Sequence, residues 1–197
     1  MVAYAAVSAA VGTVLLVAPK EPQVQAYPVY IYTEGPTPPS TTTTGPSPVA
    51  MPVPEGYQRV AGPGGLITTI PVGWTITRSS GPGAMQATDP TDPTRYVRYG
   101  GSAAPAADLV AAHVDYEQRF AEAHRGFQRF SLGTTTYHDV LAVDWEFEHD
   151  SAAGRRRAHS MYWRIAGTEY FLYASSTTDR WSDTKSIFNT MVDNSTP

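Results

Sequence analysis

Through the C-terminal part of the chain, apolar and polar residues alternate with a period of two, the signature of half-buried strands. In "LAVDWEFEHD", Leu141, Val143, Trp145 and Phe147 fall on one strand face, with Ala142, Asp144, Glu146 and Glu148 on the other. In the next run His159, Met161, Trp163 and Ile165 alternate with Ser160, Tyr162 and Arg164. Between them "HDSAAGRRRA" supplies Gly154 and polar residues, which predicts two antiparallel strands joined by a solvated loop. Ala166 and Gly167 then predict a short turn into a third strand over 169–175. Upstream, 66–70, 74–78, 95–99 and 127–132 read as strands. In "ITTIPVGWTI", Pro71 cannot donate a ladder hydrogen bond and Gly73 permits a backbone reversal. The expectation there is a hairpin whose return strand opens on Trp74, its ring capping the edge of the core.

Two segments switch to helical spacing. Over 105–124, Leu109, Ala112, His113, Tyr116, Phe120 and Ala123 form one stripe, with Pro105 near the start and Gly126 past the end. Over 179–193, Trp181, Thr184, Phe188, Met191 and Val192 form another, and Asp179 is placed to accept the free amides of the first turn. The expected fold is α+β, a mostly antiparallel sheet of six to eight strands with helices packed on its faces.

Composition divides the chain. Ten of the 17 prolines precede Glu55, whereas every tryptophan and phenylalanine follows it, so only the second part can build an aromatic core. Residues 1–19 read as a transmembrane helix or signal anchor, because the first 18 residues carry no charged side chain. A cleaved secretory signal shares this pattern, with Val24, Gln25 and Ala26 before Tyr27 as a small-residue site, and a buried helix is a third reading. The lack of a positive flank also fits a start upstream of Met1. Residues 20–54 form a Pro/Thr/Ser-rich linker, a composition that stays extended for want of apolar area to bury. Within it "YPVYIY", 27–32, suits an aromatic belt at a membrane interface. Residues 55–197 form the globular domain.

Charge and chemistry narrow the class. A net charge of -4 with 16% charged residues offers no basic surface for phosphate backbones, so nucleic acid is not an expected partner. With no cysteine, thiol catalysis, cysteine-ligated zinc and lipid attachment through an N-terminal cysteine are excluded. Hydrolase elbows, zincin motifs and phosphate loops are missing; "GPGG" at 62–65 lacks the following Lys-Ser/Thr and reads as a turn. No motif implies a cofactor or a resident metal. The candidate ligand or partner surface is Arg155, Arg156, Arg157, His149, His159 and Tyr162. The arginines form a basic cluster suited to an anion or acidic partner, or a hairpin tip balanced by Glu146 and Glu148. His149 and His159 flank one loop and are expected to approach across it, near Asp150, as a pH-sensing or metal pair. His113 and Glu117, four apart on a helix, are a second pair able to share an ion. Tyr162 with Tyr96 or Tyr99 and the aromatics of 169–175 would line a pocket if a helix covers one sheet face incompletely.

The stretches "GLITTIPVGW", "LVAAHVDYEQRF", "VDWEFEHD", "RRRAHSMYWRIAGTEYFLYAS" and "DRWSDTKSIFNTM", in that order, resemble the PsbP-like family, including LpqN-type proteins of actinobacteria. The resemblance covers about 55–197. It implies a PsbP-like α/β/α sandwich in an extracytoplasmic domain beyond a membrane helix and stalk, sometimes on receptor-type serine/threonine kinases. It also implies binding or scaffolding without a shared catalytic set. Unlike lipoprotein members, this chain has no cysteine to lipidate, which leaves residues 2–18 as its membrane attachment. The functional expectation is a membrane-tethered, single-pass extracytoplasmic binding or sensor module, secreted if the leader is cleaved, whose partner is an envelope protein or small ligand. The alternatives are a cell-envelope hydrolase using His149 or His159, and the sensor end of a longer receptor-type kinase.

Overall fold

In a computed structural model the structure describes residues 52–81 and 83–197. The expected membrane segment 1–19 and linker residues 20–51 lie outside the described residues. Nine strands form there: β1 (Tyr57–Ala61), β2 (Ile67–Pro71), β3 (Thr75–Arg78), β4 (Ala84–Asp89), β5 (Asp92–Ala103), β6 (Gln128–Tyr137), β7 (Val140–Ser151), β8 (Gly154–Ile165) and β9 (Thr168–Thr177). Helical spacing yields α1 (Leu109–Ala123) and α2 (Trp181–Asp193). Seven strands pair antiparallel in the order β3-β4-β5-β9-β8-β7-β6, and β1 and β2 form a separate antiparallel pair. This is the expected fold class.

The expected hairpin at Pro71 and Gly73 is not formed. β2 ends at Pro71 and Gly73 takes φ 81, but β2 pairs with β1 while β3 pairs with β4. The turn hands the chain from the small sheet to the large one. The burial explains why the two do not pair: Thr68, Thr69 and Ile70 in β2 are fully buried, whereas all four residues of β3 are exposed. Trp74 still packs against the core, with the Arg95 guanidinium 5.6 Å from its ring centroid.

The expected loop between β7 and β8 is also shorter than its polar composition suggests. The ladder continues to the pair Ser151 and Gly154, so His149, Asp150 and the three arginines are strand residues and only Ala152 and Ala153 turn. Trp145 is thereby set opposite Ser160, and Asp144 opposite Met161. Cross-strand partners share a sheet face, so the apolar rows of β7 and β8 point to opposite sides. Trp145 and Phe147 pack with Phe120 of α1; Met161 and Trp163 join Phe188 and Met191 of α2 in the larger core.

Each helix lays a stripe on its face. α1 is capped by Asp108, whose carboxylate accepts the Ala111 amide at 3.0 Å. α2 buries Trp181, Thr184, Ile187, Phe188 and Met191, adding Ile187 to the expected stripe. Asp179 does not cap it as expected: a one-turn 3₁₀ element, Thr178–Arg180, precedes the helix and Arg180 occupies the cap position without a side-chain bond. Past α2 the chain returns to β2, where Ile67 and Thr196 exchange backbone hydrogen bonds of 2.7 and 2.9 Å, and Ser195 Oγ donates to Thr68 Oγ1 at 2.7 Å.

One glycine is required by close approach. Gly100 in β5 takes φ 151, and a Cβ there would lie 2.0 Å from the Gly83 carbonyl oxygen. Gly100→Ala is expected to lower unfolding stability by more than about 2 kcal/mol in urea titrations. Gly133→Ala, whose Cβ meets nothing within 4 Å, is expected to change it by less than about 1 kcal/mol, in the stabilising direction.

Candidate functional site

α1 packs over β6 and β7 and leaves the sheet face beyond them open. The uncovered part is a cleft of about 550 Å³. Its floor is aromatic: Tyr96 from β5, Phe171 and Tyr173 from β9, Tyr162 from β8, and Trp145 and Phe147 from β7. Along its helical wall, His113, Tyr116, Phe120 and His124 recur at spacings of three and four, which brings all four to the same side of α1. Ser79, Ser80 and Gly81, before β4, form part of the rim.

Ring contacts order these groups. Tyr96 stacks with Tyr173 at 6.0 Å between centroids, and His113 stacks on Tyr162 at 3.8 Å. The Arg98 guanidinium lies 5.0 Å from the Tyr96 ring and 5.9 Å from that of Tyr173, and its Nε donates to Gln86 Oε1 at 2.8 Å. Burial raises the phenols of Tyr162 and Tyr173 well above the ordinary tyrosine value, so both remain protonated at neutral pH.

A histidine pair closes the cleft at the α1 C-terminus. His124 stacks on Phe120 at 3.7 Å and meets His149 of β7 at 5.0 Å. Nδ1 of His124 lies 2.8 Å from the Phe120 carbonyl, and Nδ1 of His149 lies 3.0 Å from the Asp150 carbonyl. A carbonyl only accepts, so both rings carry their proton on Nδ1 and, when neutral, leave Nε2 as a bare acceptor. Burial lowers the His149 imidazole; its hydrogen bond to Asp150 works the other way, and the charges of His124, Arg156 and Arg155 lower it further.

No carboxylate lines the cleft. Those nearby are committed elsewhere: Glu117 to Arg129, Asp150 to Arg155 at 3.1 Å, and Glu169 to Arg164 at 2.7 Å and His113 at 3.5 Å. Burial acts to raise the Glu169 carboxyl, but hydrogen bonds and charge from His113 and Arg164 hold it below the ordinary range. Glu117 and His113 are thus engaged separately and do not converge as an ion-sharing pair. Among the described residues no three metal-capable side chains gather at one point.

The structure divides the expected surface residues. Tyr162 and His149 line the cleft. His159 does not approach His149, because the ladder sets His149 opposite Arg156 and His159 opposite Glu146, on opposite sheet faces. The arginine triplet is likewise split by alternation and forms no basic patch. Arg156 lies 4.9 Å from the Tyr96 ring, donating to Ser175 Oγ at 3.1 Å and the Thr94 carbonyl at 2.5 Å. Arg155 pairs with Glu148 and Asp150, and Arg157 with Glu146 at 2.8 Å. The "GPGG" turn packs on the sheet, where the Gly64 carbonyl accepts from the Tyr170 hydroxyl at 3.0 Å.

Under α2, sequence reasoning missed a buried anion. Glu146 accepts hydrogen bonds from Arg157 Nε at 2.8 Å, the Trp181 indole at 3.1 Å and Lys185 Nζ at 3.0 Å. In the sequence it is one more polar residue of an alternating strand; only its position opposite α2 marks it. Burial acts to raise its carboxyl, yet the Lys185 hydrogen bond and the charges of His159, Arg157 and Lys185 hold it below the ordinary range. Beside it, His159 Nε2 lies 2.7 Å from Asp144, and Ser131 Oγ donates to the same carboxylate at 3.4 Å. The carboxylate bridges serine and histidine here, whereas a serine-hydrolase relay requires the histidine between the other two.

Residues 50–197 match a family model described as Serine/threonine kinase C-terminal domain. Among solved structures, the chain is similar to cyanobacterial PsbP (CyanoP) from Synechocystis sp. PCC 6803, with a TM-score of 0.57 and 17% identity, covering 79% of this chain and 97% of that one. It is also similar to LpqN of Mycobacterium tuberculosis, described as involved in cell envelope biogenesis, with a TM-score of 0.51 and 15% identity over 71% and 90% of the two chains. No curated protein matches its sequence. The fold is therefore the PsbP-like, LpqN-type fold that the sequence resembles.

The depressed Glu146 carboxyl contributes stability that is present above the unfolded carboxyl pKa of about 4.3 and lost as pH falls through the lower folded value. Glu146→Gln is expected to destabilise the domain by about 1–3 kcal/mol at neutral pH. The gap to the parent protein is expected to close towards about pH 3 in denaturant titrations at stepped pH.

Proposed function

We propose a function from this premise: the chain belongs to the Serine/threonine kinase C-terminal domain family. Its globular part is a binding or sensor module without catalysis, held outside the cytoplasmic membrane by residues 2–18 and carried on the linker 20–54. The observation that carries the binding assignment is the half-covered sheet face. A concave site of about 550 Å³, with an aromatic floor and a few polar groups from four elements, has the character of a small-ligand pocket. On the opposite face, by contrast, the polar groups of Glu146, Arg157 and Lys185 satisfy one another beneath α2.

Two further points support the setting. The 18 uncharged opening residues have the length of a minimal membrane span, and the Pro/Thr/Ser-rich stretch after them has the composition of a stalk. The family description also supports the sensor version of the reading, in which such a domain is the ligand-receiving end of a receptor-type kinase. None of the described helices is long and apolar enough to cross a membrane.

Protease added to intact cells expressing the full chain with a C-terminal tag is expected to remove the tag while a cytoplasmic marker survives. Protection of the tag until lysis would overturn the extracytoplasmic placement. The chain is expected to remain in the membrane pellet after an alkaline carbonate wash, and its release with residues 1–18 intact would overturn the tether.

A further inference from the structure

The cleft carries charge and hydrogen-bonding capacity of one kind. In a chain with a net charge of -4, none of its lining residues is acidic, whereas Arg98 is a permanent cation. Arg98 is also prepared for a ligand. Its Nε is held by Gln86 at 2.8 Å and its plane lies against Tyr96 and Tyr173, but among the described residues its two terminal nitrogens have no hydrogen-bond partner and no carboxylate faces them. Three other arginines of the large sheet are spent internally: Arg95 on Asp89, Arg155 on Glu148, Arg164 on Glu169. A guanidinium with open terminal nitrogens beside an open aromatic floor points to acceptors brought by a guest.

From the binding reading above, on which this inference rests, we propose that the cleft takes a small organic anion built on a flat apolar ring, its carboxylate or equivalent oxyanion set on Arg98 and its ring on the tyrosine floor. The fork of two free guanidinium nitrogens matches a two-oxygen anion, and the rings of Tyr96 and Tyr173 hold that fork in place before binding, which limits the ordering cost. His124 and His149 lie at the far side of the floor, with β9 and β8 between the strands of Arg98 and His149, and their bare Nε2 atoms accept a donor from the opposite end of the guest.

Three probes with one ring and different charge test this: indole-3-acetate, the neutral indole-3-ethanol and the cationic tryptamine. Each is titrated calorimetrically into the full chain in detergent, with empty micelles as blank. Indole-3-acetate is expected to bind at least about tenfold more tightly than indole-3-ethanol, with tryptamine weaker still. Arg98→Gln is expected to abolish the preference for the acetate, and Arg98→Lys to keep part of it, with thermal melts showing that both variants fold. Equal affinity for the acetate and the alcohol in the parent protein, a comparison that needs no variant, would overturn the anion assignment while leaving a ring-binding cleft. Absence of binding by all three up to about 10 mM would overturn the ligand class itself. Neither result touches membrane placement, which the protease experiment decides separately.

Discussion

The architecture depends on one register, the pairing of β7 with β8 across the two-residue turn Ala152-Ala153. Because side chains alternate with a period of two, a slip of one residue would carry every side chain of one strand to the other face. In the observed register Trp145 stands opposite Ser160 and Met161 opposite Asp144. Each face of the hairpin therefore takes its large apolar groups from a different strand: Trp145 and Phe147 from β7 on the α1 side, Met161 and Trp163 from β8 on the α2 side. Both faces obtain a core, and each can receive a helix.

The two helices then finish their faces unequally. On the α2 side the small sheet also contributes, through Ile70 with Leu66 just before β2, and the helix end is tied to β2 by Ser195 and Thr196. The charged groups trapped there are paired with one another. Glu146 faces three donors, which converts an otherwise costly buried carboxylate into a clasp between sheet and helix. α1 is clasped to the sheet by Glu117 and Arg129 of β6, but the small sheet adds nothing on its side. The helix covers the β6 and β7 end and stops, so the aromatic residues of β5, β8 and β9 meet open space where a second helix would complete the layer.

That asymmetry separates stability from function in this domain. The closed face holds the larger core, and its charges are mutually satisfied. The cleft concentrates tyrosines, imidazoles and a guanidinium whose terminal nitrogens are not consumed internally. It also explains why the arginine triplet misleads: alternation sends Arg156 behind the Tyr96 ring and spends Arg155 and Arg157 on Glu148 and Glu146, whereas the cation that lines the cleft is Arg98 on another strand.

Local periodicity was sufficient to determine the two helices, seven of the nine strands and the α+β class, because burial on one side of a helix or strand writes itself into neighbouring residues. The strands it missed, β1 and β4, are short and bury their residues without clean alternation. Composition likewise separates an uncharged opening run and a proline-rich stretch from the part that holds every tryptophan and phenylalanine. An aromatic pocket around Tyr162 and Tyr96 was foreseeable as a condition, that one helix leave its face part open. Whether it does, which strand Ile67–Pro71 pairs with, that His149 meets His124 and is barred from His159, and that Glu146 is an anchor were decided only by tertiary structure. These depend on register and on which residues distant in sequence come to lie opposite each other, and a period of two is blind to both.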